Sequence, residues 1–179
     1  MYDIAILNWL HNHTIPHSVP FLQIISYTTT FVSITLVLIV LIISIVKRSK
    51  PIRKHFYTLA IVLIFVAIVS QGLKALIYRE RPFFTHPFIE KLSEAGGSSF
   101  PSGHTLEAFA IAAALSLLFS RKKIVIPVYI WAMLVAYSRM ALGVHYPSDV
   151  LAGIFIGTFI GWIVPWIFKR IIPAGKINL

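Results

Sequence analysis

"FLQIISYTTTFVSITLVLIVLIISIVKRSK", residues 21–50, is the stretch whose reading decides the fold. No residue from 21 to 46 is charged, and Lys47, Arg48 and Lys50 then follow at once. A helix of about 20 apolar residues matches the hydrocarbon thickness of a bilayer, whereas a helix of a soluble domain needs only one apolar face. Similar apolar runs recur at 56–77, 104–119, 124–142 and 150–172. Hydrophobic residues make up 58% of the 179 positions, well above the roughly 45–50% of a soluble domain, so the chain reads as an integral membrane protein. The predicted fold class is all-α, a polytopic transmembrane bundle of five to six membrane helices with room for an N-terminal interfacial helix. Residues 1–20 are too polar to span and are assigned to that interfacial segment, 21–172 to one transmembrane domain, and 173–179 to a cytoplasmic tail.

The charge of +10 is not the footprint of a nucleic-acid binder, because of where it falls. Eleven of the sixteen Lys and Arg sit in three blocks between apolar runs: Lys47, Arg48, Lys50, Arg53 and Lys54; Arg121, Lys122 and Lys123; Lys169, Arg170 and Lys176. Loops of this kind stay cytoplasmic. Five spans then place all three blocks inside and the loops 78–103 and 140–149 outside. The first forty-six residues contain no Lys or Arg, so they lack the basic start of a cleavable signal. Cysteine is absent, which excludes disulfides and thiol chemistry. In the last apolar run, Gly153, Gly157 and Gly161 recur every fourth residue and let a neighbouring helix approach closely, within the chain rather than between chains.

Five basic residues lie outside the blocks: Lys74, Arg79, Arg81, Lys91 and Arg139. Lys74 falls in an apolar run, where a charge is costly and faces a polar cavity by default. Arg81 lies seven residues on, about two turns along the same face of a helix that continues to Pro82. "PSGH" (101–104) reads as a helix start with Ser102 as N-cap candidate, so the backbone N–H groups of Gly103 and His104 open an anion site. "SRMALGVHYPSD" (138–149) adds the donors Ser138 and Arg139. It then sets His145 and Asp149 four residues apart, a helical spacing that puts the carboxylate over the imidazole. An Asp accepting from one ring nitrogen leaves the other free to attack. Glu107 is balanced between tuning His104 and simple packing, and the loop holding "EAGGSS" (94–99) is expected to be solvated and mobile. His11, His13 and His17 have only Asp3 as a nearby carboxylate and are expected to be interfacial rather than metal ligands.

"KALIYRERP" (74–82), "PSGH" and "SRMALGVHYPSD" together resemble the tripartite signature of the type 2 phosphatidic acid phosphatase superfamily, which includes vanadium-dependent haloperoxidases. The resemblance runs from about residue 56 to 172. It implies a nucleophilic His145 that forms a phosphohistidine, Asp149 orienting it, and His104 as general acid and later base. Lys74, Arg81, Ser102, Gly103 and Arg139 would hold the phosphoryl oxygens. Fixed cations and backbone donors meet the charge of a transferring phosphoryl group, and the motifs hold no acidic cluster for magnesium, so neither metal nor cofactor is expected. The implied activity is a lipid phosphate or diphosphate phosphatase at the outer face of a bacterial cytoplasmic membrane, with undecaprenyl diphosphate favoured. Phosphatidylglycerophosphate, phosphatidic acid and lipid A phosphate are alternatives, and a haloperoxidase is disfavoured by the membrane spans. The expected partner is the membrane lipid alone, with no nucleic acid and with monomer and homodimer both open.

Overall fold

A computed structural model describes residues 2–119 and 121–171. The expected tail at 173–179, with Lys176, and the end of the last apolar run at Ile172 lie outside the described residues. The elements are α1 (Tyr2–His13), a short 3-10 turn (Pro16–Ser18), α2 (Val19–Tyr27), α3 (Thr29–Val46), α4 (Lys50–Leu76), α5 (Pro82–Thr85), α6 (Gly103–Phe119), α7 (Lys122–Ala141) and α8 (Pro147–Ile171). No strand occurs among the described residues. Four helices, α3, α4, α7 and α8, are long and apolar enough to cross a membrane, and α6 is a shorter apolar one. The chain is a multi-pass membrane bundle.

The polarity is arranged for lipid. Phe31, Ile42, Ile64, Ile68, Ile130, Phe155 and Phe159 are exposed on the outer helix faces, while helical hydrogen bonding satisfies the backbone. The core runs along α6, where every residue from Ala108 to Leu115 is buried between α4, α7 and α8. Its alanine-rich face lets those helices come close. Gly153, Gly157 and Gly161 supply the matching face of α8: a Cβ at Gly157 would overlap the Leu106 backbone, and one at Gly161 the Ala110 backbone. These glycines are therefore used within the chain. Gly157→Leu is expected to destabilise the bundle by at least ~1–3 kcal/mol through overpacking. A thermal unfolding midpoint in detergent equal to that of the parent chain would contradict this packing.

Two local departures from the apolar pattern shape the site. The run 21–46 is broken at Thr28, between α2 and α3. Thr28 Oγ1 donates to the Ile24 carbonyl at 2.7 Å and Thr29 Oγ1 to the Ser26 carbonyl at 2.9 Å. Hydroxyls that bond back to the preceding turn bend a helix, and hydropathy does not register them. The second departure is at the end of α4, which is capped by Ile77 in a non-helical conformation. Lys74 and Arg81 thus do not share a helical face. Arg81 precedes Pro82, is held extended at ψ 155°, and returns to the site from a loop.

Each spanning helix has one end near the motif loops and the other near a basic block. Val46, Lys50, Lys122 and Lys169 mark the basic end; Leu76, Gly103, Ala141 and Pro147 mark the motif end. The motifs, far apart in sequence, are gathered because the helices alternate.

Candidate active site

The motif end encloses a cavity of about 500 Å³ whose wall includes Lys74, Arg81, Gly103, His104, Arg139 and His145. Six of the eight residues expected to form a site line it. The other two, Ser102 and Asp149, lie behind the wall.

Lys74 comes from the last turn of α4 and its Nζ donates to the Ser98 carbonyl at 2.7 Å. Arg81 is almost fully buried and is gripped by carbonyls: Nη2 donates to Gly96 at 2.8 Å and Nη1 to Val144 at 2.8 Å. The same Nη1 lies 3.3 Å from Nε2 of His145. Arg139, on the last turn of α7, is 2% exposed; Nη1 donates to Ser26 Oγ, and Nε has no hydrogen-bond partner. Both guanidinium groups are buried on one cavity wall, and among the described residues neither forms an ion pair with a carboxylate, an arrangement that an anion would stabilise.

Gly103 starts α6. A Cβ there would stand 3.1 Å from Ser70 Oγ and 3.9 Å from Lys74 Cε, so its absence leaves Lys74 room beside the helix N-terminus. His104 follows on the cavity wall and has no hydrogen-bond partner among the described residues. Ser102 is fully buried, and its Oγ pairs with Thr105 Oγ1 at 2.9 Å instead of facing the cavity. Ser138 is likewise turned away, donating to the Val135 carbonyl.

His145 and Asp149 meet, but not through helical register. His145 lies in the bend between α7 and α8, where Gly143 adopts φ +70°, and Asp149 lies in the first turn of α8. A Cβ at Gly143 would collide with the Glu90 carbonyl. His145 Nδ1 faces Asp149 Oδ2 at 3.7 Å, within ion-pair reach but longer than a hydrogen bond. Burial, with the charges of Arg139 and Arg81 adding to it, holds the His145 pKa below the ordinary histidine value against the pull of Asp149. The ring is neutral at neutral pH, with Nε2 directed toward Arg81 and the cavity.

Three features escaped the sequence reading. Ser99 Oγ donates to Asp149 Oδ2, and the Tyr146 N–H donates to the same oxygen at 2.9 Å. Arg79 Nη1 donates to Asp149 Oδ1 at 2.6 Å. The loop 94–99, with Glu94, Gly96 and Gly97 exposed to solvent, also forms part of the site wall: Glu94, Ala95 and Gly96 line the cavity, and Ser98 and Ser99 are buried. The one available signal was its run of small residues directly before the "PSGH" motif, which permits backbone to approach cations closely. Glu107 also lines the cavity. It accepts from Thr30 Oγ1 at 2.8 Å rather than pairing with His104. His11 Nε2 accepts from the Glu90 N–H at 3.3 Å.

Fold and site define a class, the membrane-embedded phosphatases of phosphorylated lipids. The chain belongs to the PAP2 superfamily, whose family model matches residues 55–173. It is 31% identical to undecaprenyl-diphosphatase BcrC of Bacillus subtilis (strain 168) over 134 residues, 75% of this chain and 68% of that protein. It is 36% identical over 77 residues to a lipid A 4'-phosphatase of Bacteroides thetaiotaomicron, covering 43% of this chain but only 34% of that protein. The crystal structure of a transmembrane PAP2 type phosphatidylglycerolphosphate phosphatase from Bacillus subtilis shares the fold, with a TM-score of 0.79, 24% identity, and coverage of 96% of this chain and 87% of the other.

Proposed function

We propose that this chain is a metal-independent phosphatase that removes a terminal phosphate from undecaprenyl diphosphate through a phosphohistidine. The observation that carries the reading is the cluster of Lys74, Arg81 and Arg139 around one cavity shared with two imidazoles. In the proposed reaction, His145 Nε2 attacks the terminal phosphorus and forms a P–N bond as the bond from that phosphorus to the bridging oxygen breaks and undecaprenyl phosphate leaves. His104 gives its proton to that oxygen. His104 then takes a proton from water, which attacks the phosphohistidine and releases inorganic phosphate, restoring His145. Lys74, Arg81, Arg139 and the Gly103 backbone hold the phosphoryl oxygens throughout, and Ser102 acts by fixing the start of α6. Such preorganised charge is the main catalytic resource of phosphoryl transfer.

Residues 21–172 are the phosphatase domain and 1–20 its interfacial segment in this reading. The motif end is opposite the basic blocks, so the positive-inside rule supports an outward-facing site in a bacterial cytoplasmic membrane. The similarity to an undecaprenyl-diphosphatase over three quarters of the chain supports the polyprenyl substrate. Glu107 favours a second reading: a carboxylate on the cavity wall suits a headgroup that carries a hydroxyl beside the phosphate, as phosphatidylglycerophosphate and lipid A do.

Phosphate release by the purified protein from undecaprenyl diphosphate, phosphatidylglycerophosphate, phosphatidic acid and lipid A, measured side by side, tests the assignment. Preference for the polyprenyl substrate supports it, preference for a hydroxyl-bearing headgroup supports the second reading, and release from none overturns both. EDTA is expected to leave the rate within about twofold, because cations of the chain do the work of a metal. Loss of activity in EDTA that magnesium restores would overturn the metal-free mechanism.

A further inference from the structure

The first turn of α1 reaches into the back of the site. Asp3 Oδ1 accepts from the Ser148 N–H at 2.9 Å, in the opening turn of α8, and Asp3 Oδ2 accepts from both Ser148 Oγ and Arg79 Nη2, the latter at 2.9 Å. Arg79 is therefore shared between two carboxylates, Asp3 on one nitrogen and Asp149 on the other. Its guanidinium also lies over the Tyr146 ring, 3.9 Å from the centroid, and the backbone N–H of Tyr146 holds the other oxygen of Asp149. Asp3 sits where a helix N-terminus welcomes negative charge. Burial raises its pKa, but the hydrogen bonds from Ser148 and Arg79 outweigh this and leave it below the ordinary carboxylate value.

Asp149 is fully buried, and a buried carboxylate needs a counterion or it takes up a proton. Arg79 is that counterion. An arginine bound to Asp149 alone would be free to draw the carboxylate away from the imidazole, whereas Asp3, together with Ser148 Oγ, which accepts from Nη1 at 2.7 Å and itself donates to Asp3, fixes the guanidinium. Oδ1 is then pinned, and Oδ2, which accepts from Ser99 Oγ and the Tyr146 N–H, is held 3.7 Å from His145 Nδ1, with Ser99 Oγ 3.5 Å from the same nitrogen.

We propose that Asp3 and Arg79 are positioning residues for the nucleophile, a line running from α1 through Arg79 and Asp149 to His145. The inference rests on the phosphohistidine reading, in which an aimed Asp149 keeps the proton on Nδ1 and the lone pair on Nε2. Neither residue touches the cavity wall, so neither binds substrate. The consequence is a defect in turnover and not in affinity.

The test is kinetic and spectroscopic, on full-length protein in detergent with size-exclusion profile and thermal midpoint as checks of folding. Arg79→Gln and Asp3→Asn are each expected to lower kcat ~10–100-fold, the scale of a misplaced catalytic group, with KM within about twofold. Arg79→Lys and Asp3→Glu are expected to recover part of the loss. Asp3→Asn should cost little more when Arg79 is already Gln. The contacts of Asp3 with Ser148 survive in that background, so an undiminished further loss would mean that Asp3 only docks α1, and would overturn the inference. Unchanged kcat in the single variants, or a loss confined to KM, would overturn it too.

The imidazole ¹⁵N shifts of His145 decide the matter without any substrate. The Nδ1–H tautomer is expected to dominate in the parent chain and to lose population in Arg79→Gln and Asp3→Asn, or in Arg79→Lys should those fail to fold. Identical tautomer ratios would overturn the positioning role. A parent chain that hydrolyses no lipid phosphate would instead count against the function, leaving the tautomer ratios to judge this inference.

Discussion

His145→Ala is expected to abolish lipid phosphate turnover, with kcat lower by about 10⁴-fold or more, the scale seen when a nucleophile is removed from a catalytic unit. The expectation follows from the environment of the ring. It is buried and neutral, Nδ1 faces a buried carboxylate, and Nε2 stands 3.3 Å from a guanidinium nitrogen that can hold the phosphoryl group it attacks. No other described nucleophile shares that placement. Trapping ³²P-labelled protein with an alkaline SDS quench checks the route: the parent chain should carry base-stable, acid-labile label, and His145→Ala none. Substantial turnover by His145→Ala would show that water attacks the phosphate directly, with the cations alone supplying the catalysis.

His104→Ala should lower the rate by about 10²–10⁴-fold for an alkyl phosphate, the range for loss of a general acid. The decisive feature is dependence on the leaving group. A nitrophenyl phosphate leaves without a proton, so phosphoenzyme formation from it should be largely spared, while hydrolysis of the phosphoenzyme, which needs the same ring as base, should become limiting. Burst kinetics with an accumulated covalent intermediate is the expected signature. Equal loss for good and poor leaving groups would remove His104 from the acid role and leave it as another oxygen-binding group. His104 has no hydrogen-bond partner among the described residues and stands on the cavity wall at the N-terminus of α6, placed to serve the leaving oxygen.

The chemistry-bearing residues were legible because they come in short motifs. Lys74 stood out as a charge in an apolar run, and His104 and His145 as titratable groups at helix mouths. Six of the eight nominated side chains or backbone positions share one cavity wall. The orientation of individual serines was not legible. Ser102 and Ser138 have equally good local alternatives, a neighbouring hydroxyl and a carbonyl three residues back, and the choice between those and the cavity is made by how α6 and α7 are rotated in the bundle. Arg81 was placed on the wrong path for a similar reason. The periodicity of 74–81 permits a continued helix, and Pro82, which disfavours a helical Arg81, stops it only in part; Ser98 Oγ also receives the Arg79 N–H and donates to the Ile77 carbonyl, taking the backbone groups that a further turn would need.

The sequence by itself determined the class of fold, the apolar spans, the segregation of basic blocks from motif loops, and the candidate groups for phosphoryl chemistry. These depend on hydrophobic length, charge and spacing within a few residues, which are local quantities. Only the tertiary structure decided which groups face one another. Asp3 and Ser148 are 145 residues apart, and Arg79 and Asp149 are 70 apart, yet they form one hydrogen-bonded line behind His145. Such contacts are fixed by the depth to which α8 sinks against α6 on its three glycines and by the docking of α1 across the start of α8. Close packing of distant helices sets them, and no short window of sequence contains that information.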